Sequence, residues 1–170
     1  MKAGRIILKW MLITMIAFTT FNLFISSDYE FERSIEIESP IDSVYNQVAD
    51  LHNWKNWVVW WEQDTILSVI FSGESSGAGA KMEWTEFGGT KGSIEILSAN
   101  SEGITTSLNL GNRTQNGFWK FKEIDGKTKI TWELKGEMPF FVRFMTLFID
   151  EMAGPDYESG LKKLKEVCEG

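Results

Sequence analysis

Hydrophobic and polar residues alternate through most of the chain after position 28. Every second residue from Phe31 to Ile37 shares one side of an extended backbone, which predicts a half-buried first strand. Between positions 67 and 134 six further runs alternate in the same way, and glycine-containing turns separate them. One apolar and one polar face per strand is typical of an antiparallel meander, so the pattern predicts seven antiparallel strands.

Helical spacing occurs after the first strand and at the end of the chain. Ser39-Pro40 predicts a helix start, with Ser39 as the N-cap and Pro40 as the first helical residue. Residues 51–62 carry tryptophans at i, i+3 and i+7 and predict a second short helix. From Pro139 to Val167 the apolar spacing predicts a long helix, which Gly154-Pro155 is expected to kink or break.

The predicted order is strand, two short helices, six strands and a long helix, which is an α+β arrangement. The apolar face of the sheet needs a cover, and the C-terminal helix is the only predicted element that is long enough. A strongly curved sheet and a straight helix cannot pack flush everywhere. Large aromatic side chains between them are therefore expected to line an apolar cavity.

The first 27 residues form a separate, mostly apolar segment. Residues 1–9 are basic, and Ile6–Ile25 supplies 20 residues, about the length of a helix that spans a hydrocarbon core. We expect an uncleaved membrane anchor; a cleaved signal peptide is the alternative, because Ser26 and Ser27 offer small residues near a cleavage site. The basic flank predicts a cytoplasmic N-terminus, with residues 28–170 outside, in the periplasm or at the outer surface.

Charge and reactive side chains limit the possible functions. Residues 28–170 carry 14 basic and 24 acidic side chains, a net charge of −10, which argues against nucleic-acid binding. With one cysteine, Cys168, and one histidine, His52, the chain can form no intramolecular disulfide, thiol cluster or two-histidine site. The acidic residues of the C-terminal helix are expected to be solvated. We therefore expect no metal, no cofactor and a monomeric domain.

Several motifs together resemble a known family. They are a helix start, a tryptophan motif, a small-residue turn, a strand and a kink: Ser39-Pro40, Asn53-Trp54-Lys55-Asn56-Trp57 with Trp60, Gly77-Ala78-Gly79-Ala80, Lys127-Thr128-Lys129-Ile130-Thr131-Trp132 and Gly154-Pro155-Asp156-Tyr157. Over about residues 29–168 the chain resembles the polyketide cyclase/dehydrase and lipid transport family of the START-like, birch-pollen-allergen-like (SRPBCC) superfamily. This resemblance implies a helix-grip fold, in which a seven-stranded curved antiparallel sheet wraps around a long C-terminal helix and encloses a cavity. It does not fix the function, because the family covers lipid carriers, hormone-binding proteins and cyclases.

Ten aromatic side chains are expected to line the cavity. They lie on the apolar strand faces, in the short helices and at the start of the C-terminal helix: Trp54, Trp57, Trp60, Trp84, Trp119, Phe121, Trp132, Phe140, Phe144 and Phe148. Each such ring buries about 150–250 Å² when it is packed inside a domain. For any single ring, ordinary core packing is therefore the alternative interpretation.

Polar candidates are few. Glu86 shares the alternation phase of Trp84, so it points inward if the strand extends that far, where burial would suit it to proton transfer or to holding a polar ligand head. Otherwise it lies in the turn at 87–89 and points to water. Arg33 either meets an anionic head group or extends to solvent. His52, beside Asp50, is expected at a helix end on the surface rather than in catalysis.

These observations favour a non-catalytic binder or carrier of a hydrophobic small molecule or lipid, held at the membrane by the N-terminal helix. One alternative is a cyclase- or dehydratase-type enzyme acting on a hydrophobic substrate, with Glu86 as its weak catalytic candidate. The other is an interaction or stress-response domain whose cavity is filled by its own tryptophans.

Overall fold

The structure, a computed structural model, describes residues 2–62, 66–111 and 113–170, and for Lys2, Trp60 and Glu62 it describes only the backbone. An N-terminal helix precedes a domain of seven strands, further α-helices and three short 3₁₀ helices (η). The elements are α1 (Lys2–Leu23), β1 (Asp28–Ile37), α2 (Ile41–Ala49), η1 (Leu51–Asn56), η2 (Val59–Glu62), β2 (Ile66–Gly73), β3 (Ala80–Glu86), β4 (Lys91–Asn100), β5 (Gly103–Leu110), β6 (Arg113–Ile124), β7 (Lys127–Glu137), η3 (Phe140–Phe148) and α3 (Ile149–Glu169).

The seven strands form one antiparallel sheet in the order β1-β7-β6-β5-β4-β3-β2. Each strand from β2 to β6 pairs with the next strand along the chain, and β1 pairs with β7 at the other edge of the sheet. Asp125 and Gly126 join β6 to β7 with φ of 51° and 78°, the left-handed geometry that matches the twist of a tight hairpin. The predicted antiparallel meander is confirmed.

Helix α3 covers the inner face of the sheet. Its buried residues Tyr157, Leu161 and Leu164 pack on inward side chains from the sheet and from β1 in particular. The buried core includes alternate positions of β4, β5, β6 and β7, namely Ile94, Ile96, Ile104, Trp119, Ile130 and Trp132. This arrangement is the helix-grip fold, and the expected α+β class is confirmed.

The segment between β1 and β2 differs in detail from the prediction. Helix α2 begins at Ile41 with Pro40, not Ser39, at the N-cap, and no side chain caps it. Ser39 is buried instead, and its carbonyl oxygen accepts a hydrogen bond of 2.8 Å from the Thr128 hydroxyl. The tryptophan-rich part forms two short 3₁₀ helices, η1 and η2, rather than one helix.

The C-terminal segment breaks earlier than predicted. Helix α3 runs without interruption past Pro155, whereas the backbone leaves helical geometry at Phe148 with φ −124° and ψ 4°. Proline has no amide hydrogen, so the carbonyl oxygen of Glu151, one turn before Pro155, loses its helical hydrogen bond. Both residues are exposed, so water can bind to that carbonyl oxygen. A kink or a break was predicted at Gly154-Pro155; the helix is not broken there, and residues 140–148 form the separate element η3.

Strand β2 does not have the buried face that its alternation predicted. It lies at the edge of the sheet, and Leu67, Ile70 and Phe71 are exposed. The pairing of β2 with β3 shifts register between Ile66 and Ser68, which interrupts the alternation. Only Val69 and Ile66 pack partly against the core.

Helix α1 lies outside the domain core. Residues Ala3–Leu23 are long and apolar enough to cross a membrane, judged by length and composition, and almost all of this helix is exposed. Residues 24–27 connect its end to β1, and the carbonyl oxygen of Ser27 accepts a hydrogen bond of 2.9 Å from the amide of Met138. The end of α1 therefore sits directly against the domain.

A buried carboxylate on the outer face of the sheet links β6 and β7. Glu133 is almost fully buried although it faces away from α3, and its oxygens lie 2.7 Å from Lys120 Nζ and 2.5 Å from Lys135 Nζ. Lys135 Nζ also lies 5.6 Å from the centre of the ring of Phe118, which is the cross-strand partner of Glu133. Hydrogen bonds from the two lysines lower the pKa of Glu133 to about 2.

Replacing Glu133 should lower the free energy of unfolding at neutral pH and have less effect in acid. Because the folded-state pKa is lowered from its usual 4.5, the carboxylate stabilises the fold fully above about pH 4.5 and loses this contribution as the pH falls towards about 2. We expect Glu133→Gln to lower the free energy of unfolding by about 1–3 kcal/mol at pH 7, with the difference shrinking below pH 4.5. Urea unfolding followed by tryptophan fluorescence measures this. Glu123→Gln, at an exposed position of β6, is the control; equal effects of the two substitutions would contradict the prediction.

Candidate functional site

Five aromatic rings meet between the sheet and α3. They are Trp54 and Trp57 from the segment after α2, Trp119 of β6, Trp132 of β7 and Tyr157 of α3, together called the aromatic cluster here. Every member is at least nine-tenths buried. The ring centres of neighbouring members lie between 4.0 and 6.1 Å apart.

The strand register builds the centre of the cluster. Trp119 and Trp132 are direct partners across β6 and β7, and their rings stack at 4.1 Å with 21° between the planes. Trp57 meets both rings edge-on, at 5.7 and 6.1 Å. Tyr157 contacts Trp132 from the side of α3 at 4.0 Å. The rings therefore contact one another between the sheet and α3, while the cavity that they were expected to line stays a prediction.

Three of the four indole N–H groups in the aromatic cluster, those of Trp54, Trp57 and Trp119, differ in their hydrogen bonding. Trp54 Nε1 donates a 2.9 Å hydrogen bond to the carbonyl oxygen of Val48 at the end of α2. Trp57 Nε1 and Trp119 Nε1 are buried and have no hydrogen-bond partner among the described residues. Buried donors are nearly always paired in folded proteins, so these two N–H groups are a specific feature of this interior.

Gly117 lies beside one of these donors. A methyl group at position 117 would lie 2.5 Å from the Thr106 hydroxyl oxygen, 3.4 Å from Trp132 Nε1 and 3.7 Å from Trp119 Nε1. Thr106 is buried and donates a long hydrogen bond, 3.4 Å, to the carbonyl oxygen of Gly117. The missing side chain therefore leaves a hydroxyl and two indole nitrogens around one point on the inner face of the sheet.

The other predicted aromatic residues lie around the cluster or away from it. Trp84 is buried on β3 and lies across Gly92 of the neighbouring strand, where a Cβ would clash with the indole. Phe121 is half-buried and contacts Tyr45 at 5.3 Å. Phe140, Phe144 and Phe148 belong to η3, which has no buried residue, so they do not join the cluster. The side chain of Trp60 lies outside the described residues.

Glu86 lies at the end of β3 and is half-buried. Its Oε1 accepts a 3.2 Å hydrogen bond from Trp84 Nε1, so the carboxyl group shares the inward face of Trp84. The backbone amide of Glu86 pairs with the carbonyl oxygen of Thr90 across the turn. Glu86 is thus an inward carboxylate at the rim of the sheet, and its use in chemistry stays a prediction.

Arg33 faces α3, where acidic side chains hold it. Its Nη2 lies 2.7 Å from Asp150 and its Nε 2.8 Å from Glu158, one helical turn on either side of Gly154. A side chain at Gly154 would clash with the guanidinium, so the glycine lets Arg33 cross the helix. Since two carboxylates already neutralise Arg33, the idea that it meets an anionic head group is not favoured.

His52 has a local structural role. Its Nδ1 lies 2.8 Å from Asp50, which also caps η1, and its ring stacks on Phe71 at 4.0 Å. It is exposed, as expected of a residue at a helix end. Among the described residues, no group of three or more His, Cys, Asp or Glu side chains is arranged to hold a metal ion.

Tyr157 was not singled out as a site residue from the sequence, yet it completes the cluster. Burial raises the pKa of its phenol well above the usual value, so the side chain is neutral at physiological pH. Phe31 of β1 packs edge-on against it at 5.0 Å. The signal was its place in the apolar repeat of α3, three residues before Gly160, where a Cβ would lie 3.7 Å from the Trp132 ring.

Residues 28–169 match the family described as Polyketide cyclase / dehydrase and lipid transport. The chain belongs to this family. The family thus covers the complete sheet and α3, and only α1 with its short connection precedes it. No curated protein matches the chain with significance.

Solved structures share the family fold at low sequence identity. A START superfamily protein from Mycobacterium smegmatis superposes with a TM-score of 0.61 at 14% identity, over 83% of this chain and 97% of that one. A major latex-like protein from ginseng, Panax ginseng, gives 0.59 at 12% identity, over 85% and 99%. A protein from Thermus thermophilus gives 0.57 at 19% identity, over 82% and 94%. At these identities the likeness establishes the fold alone.

A groove of about 840 Å³ opens at the end of this family domain nearest α1. It runs from the start of β1 to the end of β7 and the start of β6, and its lining carries charges of both signs: Asp28, Glu30, Arg113, Lys135 and Glu137. Its described lining residues include none of the aromatic residues expected to line a cavity. The groove is therefore a surface feature with charged residues in its lining, next to the end of α1 and separate from the aromatic cluster.

The two kinds of indole donor should respond differently to substitution. Trp54→Phe leaves the buried carbonyl oxygen of Val48 without its donor, whereas Trp119→Phe removes a donor that has no partner among the described residues. We expect Trp54→Phe to lower the free energy of unfolding by about 1–3 kcal/mol more than Trp119→Phe. Chemical denaturation of the two variants under identical conditions measures the difference. A larger loss for Trp119→Phe would show that its N–H has a partner in the folded protein.

Proposed function

We propose that this protein is a membrane-anchored binder or carrier of a hydrophobic small molecule or lipid, and that the aromatic cluster is its ligand site. The family description, which includes lipid transport, supports binding of an apolar molecule. The ligand enters between the sheet and α3 by displacing rings that now touch one another. Large aromatic surfaces of this kind are typical of apolar ligand sites.

The observation that carries the proposal is the pair of buried indole donors, Trp57 Nε1 and Trp119 Nε1, without partners among the described residues. Leaving a buried donor unpaired costs about 1–3 kcal/mol. A ligand oxygen that accepts either hydrogen bond removes this cost. We therefore expect an apolar body that carries an acceptor oxygen, such as the carboxyl of a fatty acid or the hydroxyl of an isoprenoid alcohol.

The proposed anchor is residues 1–27. Helix α1 is long and apolar enough to span a bilayer, and Lys2, Arg5 and Lys9 favour a cytoplasmic N-terminus with residues 28–170 outside. Only residues 24–27 separate α1 from β1, so the domain lies against the bilayer surface, where an apolar ligand is available. The domain is proposed to act as a monomer.

A second candidate is an interaction domain with a closed interior. The direct contacts within the cluster favour it, above all the stacking of Trp119 on Trp132. In that case the rings are ordinary core and no ligand enters. The cyclase or dehydratase alternative keeps Glu86 as its candidate residue.

Ligand retention separates these functions. Full-length protein in nanodiscs of one synthetic phosphatidylcholine is analysed by native mass spectrometry and by solvent extraction. The proposal predicts a bound apolar molecule, or uptake of added oleic acid or farnesol with a change in tryptophan emission. Removing one donor by Trp119→Phe should weaken uptake roughly 5- to 150-fold, because the ligand then no longer removes the cost of an unpaired donor, about 1–3 kcal/mol.

Trp61→Phe is the matched control, because Trp61 is a half-buried indole that contacts Trp84 outside the cluster. It should leave uptake unchanged. If the unmodified protein retains nothing and its emission does not respond to either compound, the closed-core function is favoured and the carrier function is wrong. Conversion of the added compound to a new mass would point to the enzymatic alternative.

A further inference from the structure

The element η3 carries an exposed apolar surface. Its sequence, FFVRFMTLF, has eight uncharged residues around one arginine, and none of them is buried in the domain. Phe141 is 77% exposed, Leu147 56% and Phe148 53%. Solvent-exposed apolar surface of this density is normally covered by a partner or a membrane.

The same element packs against the end of α1. The rings of Phe144 and Phe18 meet at 5.8 Å, edge to face. The amide of Phe144 donates a 3.2 Å hydrogen bond to Asn22 Oδ1, and the hydroxyl of Thr146 donates one of 3.3 Å to the carbonyl oxygen of Ser26. These contacts fix η3 beside the last turns of the apolar helix.

Asn22 is a polar residue in the apolar helix α1, and its hydrogen bonds account for its presence there. It is fully buried, although the rest of the helix is exposed. Its Nδ2 donates a 3.0 Å hydrogen bond to the carbonyl oxygen of Phe18, one turn earlier, while its Oδ1 serves η3. Both ends of the carboxamide are therefore satisfied without water, as a polar group near a hydrocarbon phase requires.

The point at which η3 contacts α1 sets how deep η3 lies in a bilayer that α1 spans. With 22 residues α1 is about 33 Å long, close to the ~30 Å thickness of a hydrocarbon core. Phe18 lies five residues before the end of the helix, a distance of about 7 Å along its axis. An α1 that spans the bilayer thus carries η3 to the boundary between hydrocarbon and head groups.

Charged residues near η3 limit how deeply it enters. A groove between α1 and the start of α3 is lined by Phe24 and Leu147 and also by Asp28, Asp150 and Glu151, which belong in water or among head groups. Arg143 is the one charge within η3, and its guanidinium lies 5.5 Å from the centre of the Phe140 ring. Its Nη1 donates a 3.5 Å hydrogen bond to the carbonyl oxygen of Ile25, so the charge is held beside the connection that follows α1.

We infer that η3 is a second, monotopic membrane contact, lying in the interfacial region of the leaflet on the domain side. The inference rests on the proposed anchoring by α1 and adds to it a fixed orientation of the domain. Two contacts with the bilayer, one spanning and one interfacial, prevent the domain from rotating about the short connection at 24–27. The end of the domain that carries the groove lined by Asp28, Arg113 and Glu137 then faces the lipid surface.

Spin-label depth measurements test this on the full-length protein in phosphatidylcholine vesicles. In a Cys168→Ser background, single cysteines are placed by Phe141→Cys in η3, Ile13→Cys in α1 and Leu97→Cys on the outer face of β4. Accessibility to oxygen, which partitions into lipid, is compared with accessibility to a water-soluble nickel chelate. The label at 141 should lie about 5–10 Å below the phosphate level, the label at 13 near the bilayer centre, and the label at 97 in water.

The outcomes separate the two claims. A label at 141 that matches the label at 97, with the label at 13 inside the bilayer, overturns the interfacial role of η3 and leaves the anchor intact. A label at 13 in water overturns the anchor and the inference together. A label at 141 shielded from both reagents means that protein, such as a second copy of the chain, covers η3, which also overturns the inference.

Discussion

The stacking of Trp119 on Trp132 is the contact on which the interior of this domain depends. The two residues are direct partners on adjacent central strands, so the β6–β7 register delivers both rings to the same point facing α3. An aromatic pair contributes about 0.5–1.5 kcal/mol beyond the area that it buries. Trp57 and Tyr157 also contact this pair, and through Tyr157 the rings meet α3 directly.

Two glycines and an arginine let the helix settle on this layer. Gly160 faces Trp132, and Gly154 faces Arg33, so α3 approaches the sheet at both points without a side chain in between. Arg33 then bridges Asp150 and Glu158 across the helix. The same region that defines the candidate site is therefore the one that holds the sheet and α3 together. A ligand that separates the rings must leave these outer attachments intact.

The sheet was predictable because its alternation is local. Each strand shows its inner face within a few residues, and the turn at Asp125-Gly126 needs a backbone geometry that few other residue pairs favour. The edge position of β2, by contrast, depends on which strands remain unpaired, and no local pattern reveals this. Pro155 was misread because its effect depends on whether the freed carbonyl faces water.

Part of the membership of the aromatic cluster was predictable from the sequence, but its arrangement was not. Five described tryptophans expected inside are buried, at positions 54, 57, 84, 119 and 132, because large rings on apolar faces are buried. Their mutual contacts, the partner of each N–H and the pairing of Arg33 arise between residues far apart in the chain, which spacing does not encode. The phenylalanines of η3 have the apolar character of a core segment, yet the chain places them beside α1 instead.

The central claim is that the buried indole N–H groups donate hydrogen bonds to a ligand oxygen when the rings part. Nuclear magnetic resonance of the eight tryptophan indole N–H groups, in full-length ¹⁵N-labelled protein in nanodiscs, observes these donors individually. On addition of deuterated oleic acid the account predicts that the signals of Trp57 and Trp119 shift, while that of Trp54, bonded to Val48, does not. If the Trp57 and Trp119 signals stay unchanged while the fatty acid is in excess, the claim is contradicted and the aromatic cluster is a closed core.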